Sequence, residues 1–292
     1  MEFTWTATQN GQSAKQVLSE HGVSHRMFTQ INHSNGQVLV NQKPVAPATQ
    51  VKPTDKVTLV VPAEPADPAV PVSHESLSVV FEDQHSLVVL KPAGLTSVPG
   101  PSNRTDTLVN RVKGHLVAQG DVNLVPHIIT RLDRDTSGLV LIAKHRLANS
   151  WLNQQLADHT LQKRYLAIVG GQLTKDHDLI DAPLRRSDEG FNQIVAPDGK
   201  AAQTEYWVKQ RCAEWTLVEV LLHTGRTHQI RAHFQSLGHP LLGDALYGGN
   251  QQQIQRQALH AFSLSYRDPL TNEIRQFETP LPADMATIIK QV

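Results

Sequence analysis

From His127 to His145 the chain reads HIITRLDRDTSGLVLIAKH, and no other stretch constrains the fold so tightly. The β-branched run Ile128, Ile129 and Thr130 leads into a charged, turn-prone octapeptide, Arg131 to Gly138, and the apolar run Leu139 to Ala143 leads out of it. The pattern predicts two strands flanking a loop that carries carboxylates. Such a loop exposes polar side chains while the strands fix their position, so Asp133 is the first candidate for chemistry. Taken alone, the residues also suit a plain hairpin turn. Asp133, Asp135 and Thr136 would then cap backbone amides, with Arg131 and Arg134 solvated at the edge.

The rest of the composition sets bounds. With 292 residues, 39% of them apolar, the chain can bury a sizeable core, and one large plus one small domain is the natural expectation. The lone Cys212 rules out a disulfide framework and suggests a reducing compartment. Met1 to Gly11 has neither the basic head nor the apolar core of a signal peptide, and no apolar run approaches the roughly 20 residues of a membrane helix. A cytoplasmic protein without a membrane partner is expected. Lys plus Arg and Asp plus Glu number 27 each, unlike the basic balance common in nucleic-acid binders. Glu64, Asp67, Glu75, Glu82 and Asp83 crowd one acidic stretch, however, which leaves the remainder mildly basic, and the 15 histidines add charge on meeting phosphate. A basic cleft on a neutral surface is the expectation.

That acidic stretch also marks the predicted domain boundary. Pro62, Pro65, Pro68 and Pro71 punctuate a segment of little apolar bulk, which reads as an extended tether with few contacts across it. Before it, QSAKQVLSEHG and SHRMFTQINHSNG carry helical spacing, with Ser24 as an N-cap and Gly22 and Gly36 as stops, followed by strand-like VLVNQKPV and KVTLVV. The predicted organisation is a small module over residues 1–62, a proline-rich linker over 63–76 and a large domain over 77–292. The large domain mixes short strands with helical patterns such as Arg146 to Ala157 without regular βαβ alternation, which favours an α+β fold.

RLDRDTSGL closely resembles the catalytic loop of the RluA/RluD family of RNA pseudouridine synthases, whose usual form is HRLDxxTSGL, with Thr130 standing where many members have His. LLHTGRTHQIRAHFQSLGHPLLGDALYGG (221–249) resembles the family's second long signature. LQKRYLAIVGG (161–171), PDGKAAQTEYWV (197–208) and LVVLKPAGL (87–95) fit its pattern in the right order. The N-terminal helices and strands resemble, more loosely, the S-four-like RNA-binding module that often precedes this domain. The resemblance implies a mixed, mostly antiparallel sheet with a central cleft. It also implies a monomer acting on structured RNA, with large-subunit (23S) rRNA ahead of tRNA.

The implied reaction turns uridine into pseudouridine by breaking the bond from base to sugar, rotating the base and rejoining it through carbon five. A carboxylate suffices, provided it is ionised, whether it attacks the anomeric carbon or takes the neighbouring sugar proton. Asp133 fits, and a guanidinium partner is needed to keep it charged and oriented. The resemblance gives that partner as Arg231 and the active-site aromatic as Tyr165, whose ring could stack on uracil and whose hydroxyl could help remove the carbon-five proton. Arg131 corresponds to the arginine that fills the space left by a flipped nucleotide. Arg134, Thr136, Arg226 and His228 complete the expected RNA contacts.

His223, His228 and His233 recur every five residues, about 140° apart on a helix, so they cannot share one face as metal ligands would. Neither GxxxxGK[ST] nor GxGxxG occurs. The expectation is therefore no metal, no nucleotide and no organic cofactor. Two rival classes fit single features: a magnesium-dependent phosphatase, because Asp133 to Thr136 reads DxDxT, and a non-catalytic RNA-binding protein on the same fold.

Overall fold

The computed structural model describes residues 1–101 and 103–290. The first sixty residues form β1 (Glu2–Thr6), α1 (Ala14–Glu20), α2 (His25–His33), β2 (Gln37–Val40), β3 (Lys43–Val45) and β4 (Lys56–Val60). Their four strands make an antiparallel sheet in the order β1-β4-β2-β3. The two predicted helices form where expected, and Ser24 caps α2 by accepting the Met27 amide. Asn35 takes the left-handed turn (φ 60°) after α2, where Gly36 was expected to stop it. The short strand β1 has too few residues to show a pattern, and its partner β4 lies more than fifty residues away.

Residues 79–290 form β5 (Val79–Glu82), β6 (Ser86–Lys91), α3 (Leu108–Ala118), β7 (His127–Ile128), β8 (Ser137–Ala143), α4 (Arg146–Ala157) and β9 (Gln162–Gly170). β10 (His177–Asp181), β11 (Leu184–Arg186), β12 (Gln193–Val195), β13 (Gln203–Arg211) and β14 (Trp215–Leu222) follow. The chain closes with α5 (Gln229–Ser236), β15 (Leu259–Arg267), β16 (Ile274–Glu278) and α6 (Ala283–Lys290). Ten of these strands make one sheet along the path β10-β13-β14-β9-β15-β8-β6-β5, with β16 on β15 and β7 on β8. Only β8 and β15 run parallel, so the mixed, mostly antiparallel α+β fold expected from the sequence is the fold observed.

Alternation along the central strands sends side chains to two buried faces. Val140 and Ile142 pack with Leu108, Val112 and Leu116 of α3, while Leu139 and Leu141 belong to a second cluster with Leu147 and Trp151 of α4. That second cluster continues without a break into Phe3, Leu18, Ile31 and Leu59 of the N-terminal sheet and helices. The expectation of few contacts across the proline-rich segment is therefore overturned. Trp151 donates its indole N–H to the His21 carbonyl at 2.8 Å, and a Cβ on Gly22 would lie 2.6 Å from the Trp151 ring, at a φ of +80° that itself favours glycine.

The proline-rich segment is strapped down too. Glu64, 6% exposed, accepts from the Arg146 amide at 2.8 Å and meets His127 at 3.0 Å. Burial pushes its carboxyl up, but His127 and Arg146 outweigh this and hold it below the usual range. The Lys113 ammonium of α3 donates to the Asp67 carbonyl at 2.7 Å and to that of Val70, and Asn110 donates to Pro71. Prolines cannot donate backbone N–H groups, but their carbonyls still accept, and α3 supplies the donors.

Candidate active site

The predicted hairpin is present. His127 and Ile128 pair with Ala143 and Ile142, and the loop between the strands carries Arg131 to Thr136. The loop's backbone carbonyls are fastened in succession. Ser97 donates to Leu132 O at 2.6 Å, the Asp133 carbonyl takes the Thr136 amide, and Lys91 and the Gly94 amide both donate to Arg134 O at 2.9 Å. Arg256 donates to Asp135 O at 3.2 Å. Lys91 is fully buried and gives its other protons to Leu95 O and Pro92 O; burial lowers its pKa to about 7, against the pull of Asp135 and Asp133. Holding a loop by its backbone leaves its side chains free for other work.

Three neighbouring strands bring the second element of the site to this loop. β8 lies beside β15 and β15 beside β9, so Gly138 pairs with Ala261 and Ala261 with Tyr165. Gly138 is required at this crossing: its φ is +126°, and a Cβ would lie 2.3 Å from the Ala261 carbonyl. Tyr165, 4% exposed, lines the same cleft as Asp133. Burial, then the nearby Asp133 charge, raises its hydroxyl well above the ordinary tyrosine range, so the phenolate is disfavoured.

Arg231 arrives on α5 from the far side. Its Nη1 lies 3.1 Å from Asp133 Oδ2, while Nε and Nη2 fork onto Asp244 at 2.7 and 2.9 Å. The guanidinium stands 5.0 Å from the Tyr247 ring centre. Arg231 is 6% exposed and Asp244 1%, so this pair is desolvated and its geometry is bidentate. Asp244 orients Arg231, and Arg231 orients Asp133. Removing one partner of such a buried pair typically costs about 3–5 kcal/mol because the other charge is stranded. Asp244→Ala should therefore lower the melting temperature and reduce turnover together, and a thermal melt beside an activity assay checks both.

His228 precedes α5 in the left-handed region (φ 52°), a conformation uncommon outside glycine and one that clusters at functional sites. It is held by Tyr247 Oη at 3.2 Å, and its Nε2 stands 3.9 Å from Asp133. Burial lowers its pKa against the attraction of Asp133.

Asp133, Tyr165, Arg231, Arg131, Arg134, Arg226 and His228 all line one cleft, with a volume of about 700 Å³. Arg131 is exposed there and has no ion-pair partner among the described residues, Asp135 being engaged by Arg134 at 2.9 Å. Arg226 rests its Nε on Ala201 O. Thr136 touches the same cleft but is 2% exposed and takes a bond from Gln257, so it supports the loop and is poorly placed to contact RNA directly. Thr130 is buried and accepts the Leu141 amide at 2.9 Å; it seals the hairpin base rather than facing solvent. Lys91, Ser97, Asp244 and Tyr247 were missed as site residues. Each acts through a partner distant in sequence, which local patterns do not encode.

His223, His228 and His233 do not converge. His223 meets Glu205, and His233 is buried between Thr204 and the Ala182 carbonyl. Among the described residues no group of three or more His, Cys, Asp or Glu side chains could hold a metal ion. No helix among them is long and apolar enough to cross a membrane.

Residues 85–236 match the family model described as RNA pseudouridylate synthase. The chain belongs to the RNA pseudouridine synthase family, of the RluA/RluD type. It is accordingly an isomerase acting on RNA. An uncharacterized RNA pseudouridine synthase of Bacillus subtilis is 38% identical over 279 residues, covering 95% of this chain and 98% of that one. The ribosomal large subunit pseudouridine synthase D of Pasteurella multocida is 33% identical over 305 residues, covering 97% and 92%. Among solved structures, human RNA pseudouridylate synthase domain containing 1 superposes with a TM-score of 0.59 at 25% identity, over 76% of this chain and 96% of that one.

Proposed function

We propose that this synthase isomerises specific uridines of large-subunit rRNA, with the Asp133 carboxylate acting on the sugar of a nucleotide turned out of its stack. The observation that carries the reading is the fork of Arg231, which binds a fully buried Asp244 on one side and reaches Asp133 on the other within an otherwise open cleft. A carboxylate so held is oriented without being consumed by its partner, because one guanidinium N–H faces it while the others are taken. The rRNA target rests on relatives named as ribosomal large subunit synthases.

In this reading Asp133 either attacks carbon one of the ribose or removes the proton at carbon two. Either way, the bond from nitrogen one breaks and its electron pair stays with the uracil. The base turns and carbon five bonds to carbon one, as the bond between Asp133 and carbon one breaks in the first route or Asp133 returns its proton to carbon two in the second. The carbon-five proton then leaves to water. Tyr165 bounds the turning base with its ring and stays protonated. Arg131, exposed in the cleft, takes the place of the departed base between its neighbours. No external group or redox partner enters the balance.

Incubating the protein with large-subunit rRNA transcripts and mapping pseudouridine tests the proposal. Asp135→Asn should keep most activity, since Asp135 is spent on the exposed Arg134, and EDTA should leave turnover unchanged. Loss of activity in either arm would favour the DxDxT phosphatase-like use of these carboxylates instead.

A further inference from the structure

Lys163 opens the segment QKRYLAIVG of β9, two residues before Tyr165 and on the same face of that strand. It lines the same cleft, whose wall also includes Asn153 and Leu156 of α4, His159 and Leu161. The side chain is half-buried, and no hydrogen bond or ion pair holds its ammonium among the described residues. Burial lowers its pKa to about 8 with nothing opposing the shift. Of the other cations of the cleft, Arg231 and Arg134 pair with carboxylates and Arg226 rests on a carbonyl, while Arg131 is exposed and keeps its solvation. A desolvated, unpaired ammonium is costly to keep, so its presence in a cleft that takes a polyanion calls for a partner carried by the ligand.

We infer that Lys163 forms a phosphate subsite, taking the phosphodiester next to the flipped uridine on the side facing α4. Two residues along a strand span roughly 6.6 Å, about one nucleotide's step of backbone, which is the offset between the Lys163 and Tyr165 positions on this face. Its contact is with RNA charge and not with the reacting atoms. The inference rests on the RNA reading above and adds a specific contact to it.

The test measures binding of a large-subunit rRNA transcript by filter retention over a range of salt, alongside steady-state pseudouridine formation. Lys163→Met should weaken binding roughly tenfold near 0.1 M salt and flatten the slope of log affinity against log salt by about 0.7–1, the signature of one lost phosphate contact. KM should rise while kcat stays within about twofold. Lys163→Arg should restore both affinity and slope, which separates a lost charge from a disturbed strand. An unchanged salt slope, a fall in kcat at saturating RNA, or failure of Arg to rescue would each overturn the subsite. Failure of the wild type to form pseudouridine in this RNA would count against the proposed target, while the binding arm still reports on Lys163.

Discussion

Asp133→Asn is expected to reduce pseudouridine formation below detection while RNA affinity stays within about tenfold, a difference of roughly 1.4 kcal/mol. The substitution keeps the shape of the side chain and removes its charge. The fold should survive, because Arg231 keeps its buried pair with Asp244 and no longer needs Asp133 for compensation. The loop should also hold its course, since its carbonyls are fastened by Ser97, Lys91 and Arg256 and not by the Asp133 side chain. A melting temperature near that of the wild type, alongside lost turnover, would separate chemistry from folding. Substantial residual activity would mean that another group reaches the sugar.

The second large effect concerns residues 1–72. Their removal should leave the remainder insoluble or without a cooperative melting transition. Phe3, Leu18, Ile31 and Leu59 share a cluster with Leu139, Leu141, Leu147 and Trp151, and each fully buried side chain of this size contributes about 1.5–3 kcal/mol. Uncovering several of them at once rivals the whole stability of a typical domain, about 5–15 kcal/mol. Glu64, lying within the deleted segment, would also leave Arg146 and His127 without their carboxylate. Expression of residues 73–292 followed by calorimetry checks this. A soluble fragment with a sharp transition and normal turnover would show that the N-terminal sheet is an independent appendage.

The expectation of few contacts across the proline-rich segment came from composition, and the shared core overturns it for a physical reason. Four prolines in ten residues favour an extended backbone, which here is broken by a turn that joins the Val70 amide to the Asp67 carbonyl; what they leave open is whether a neighbour supplies donors to the carbonyls. Lys113 and Asn110 do so from forty residues away. By contrast, the Arg131 to Gly138 loop was legible because its signal is local: β-branched residues before it, an apolar strand after it and turn residues between. The pairing of Arg231 with Asp133 followed from family resemblance, and periodicity offered no route to it. Asp244, the residue that orients Arg231, carries no local signal of that role. Its role depends on α5 packing over the Gly243–Asp244 turn, a contact set by tertiary structure. Tyr165 was legible as a site residue, but the rise in its hydroxyl pKa was not, because burial on both sides of β9 emerges only once β14 and β15 flank it.

The most direct measurement uses RNA transcripts carrying tritium at carbon five of uridine. Rejoining the base through carbon five must expel that hydrogen to water, so release counts the proposed bond change itself. The wild type should release tritium from a large-subunit rRNA transcript in the presence of EDTA, in step with pseudouridine appearing at defined positions, and Asp133→Asn should release none. Tritium release that survives in Asp133→Asn, or a wild type that releases none from that transcript, would contradict the account.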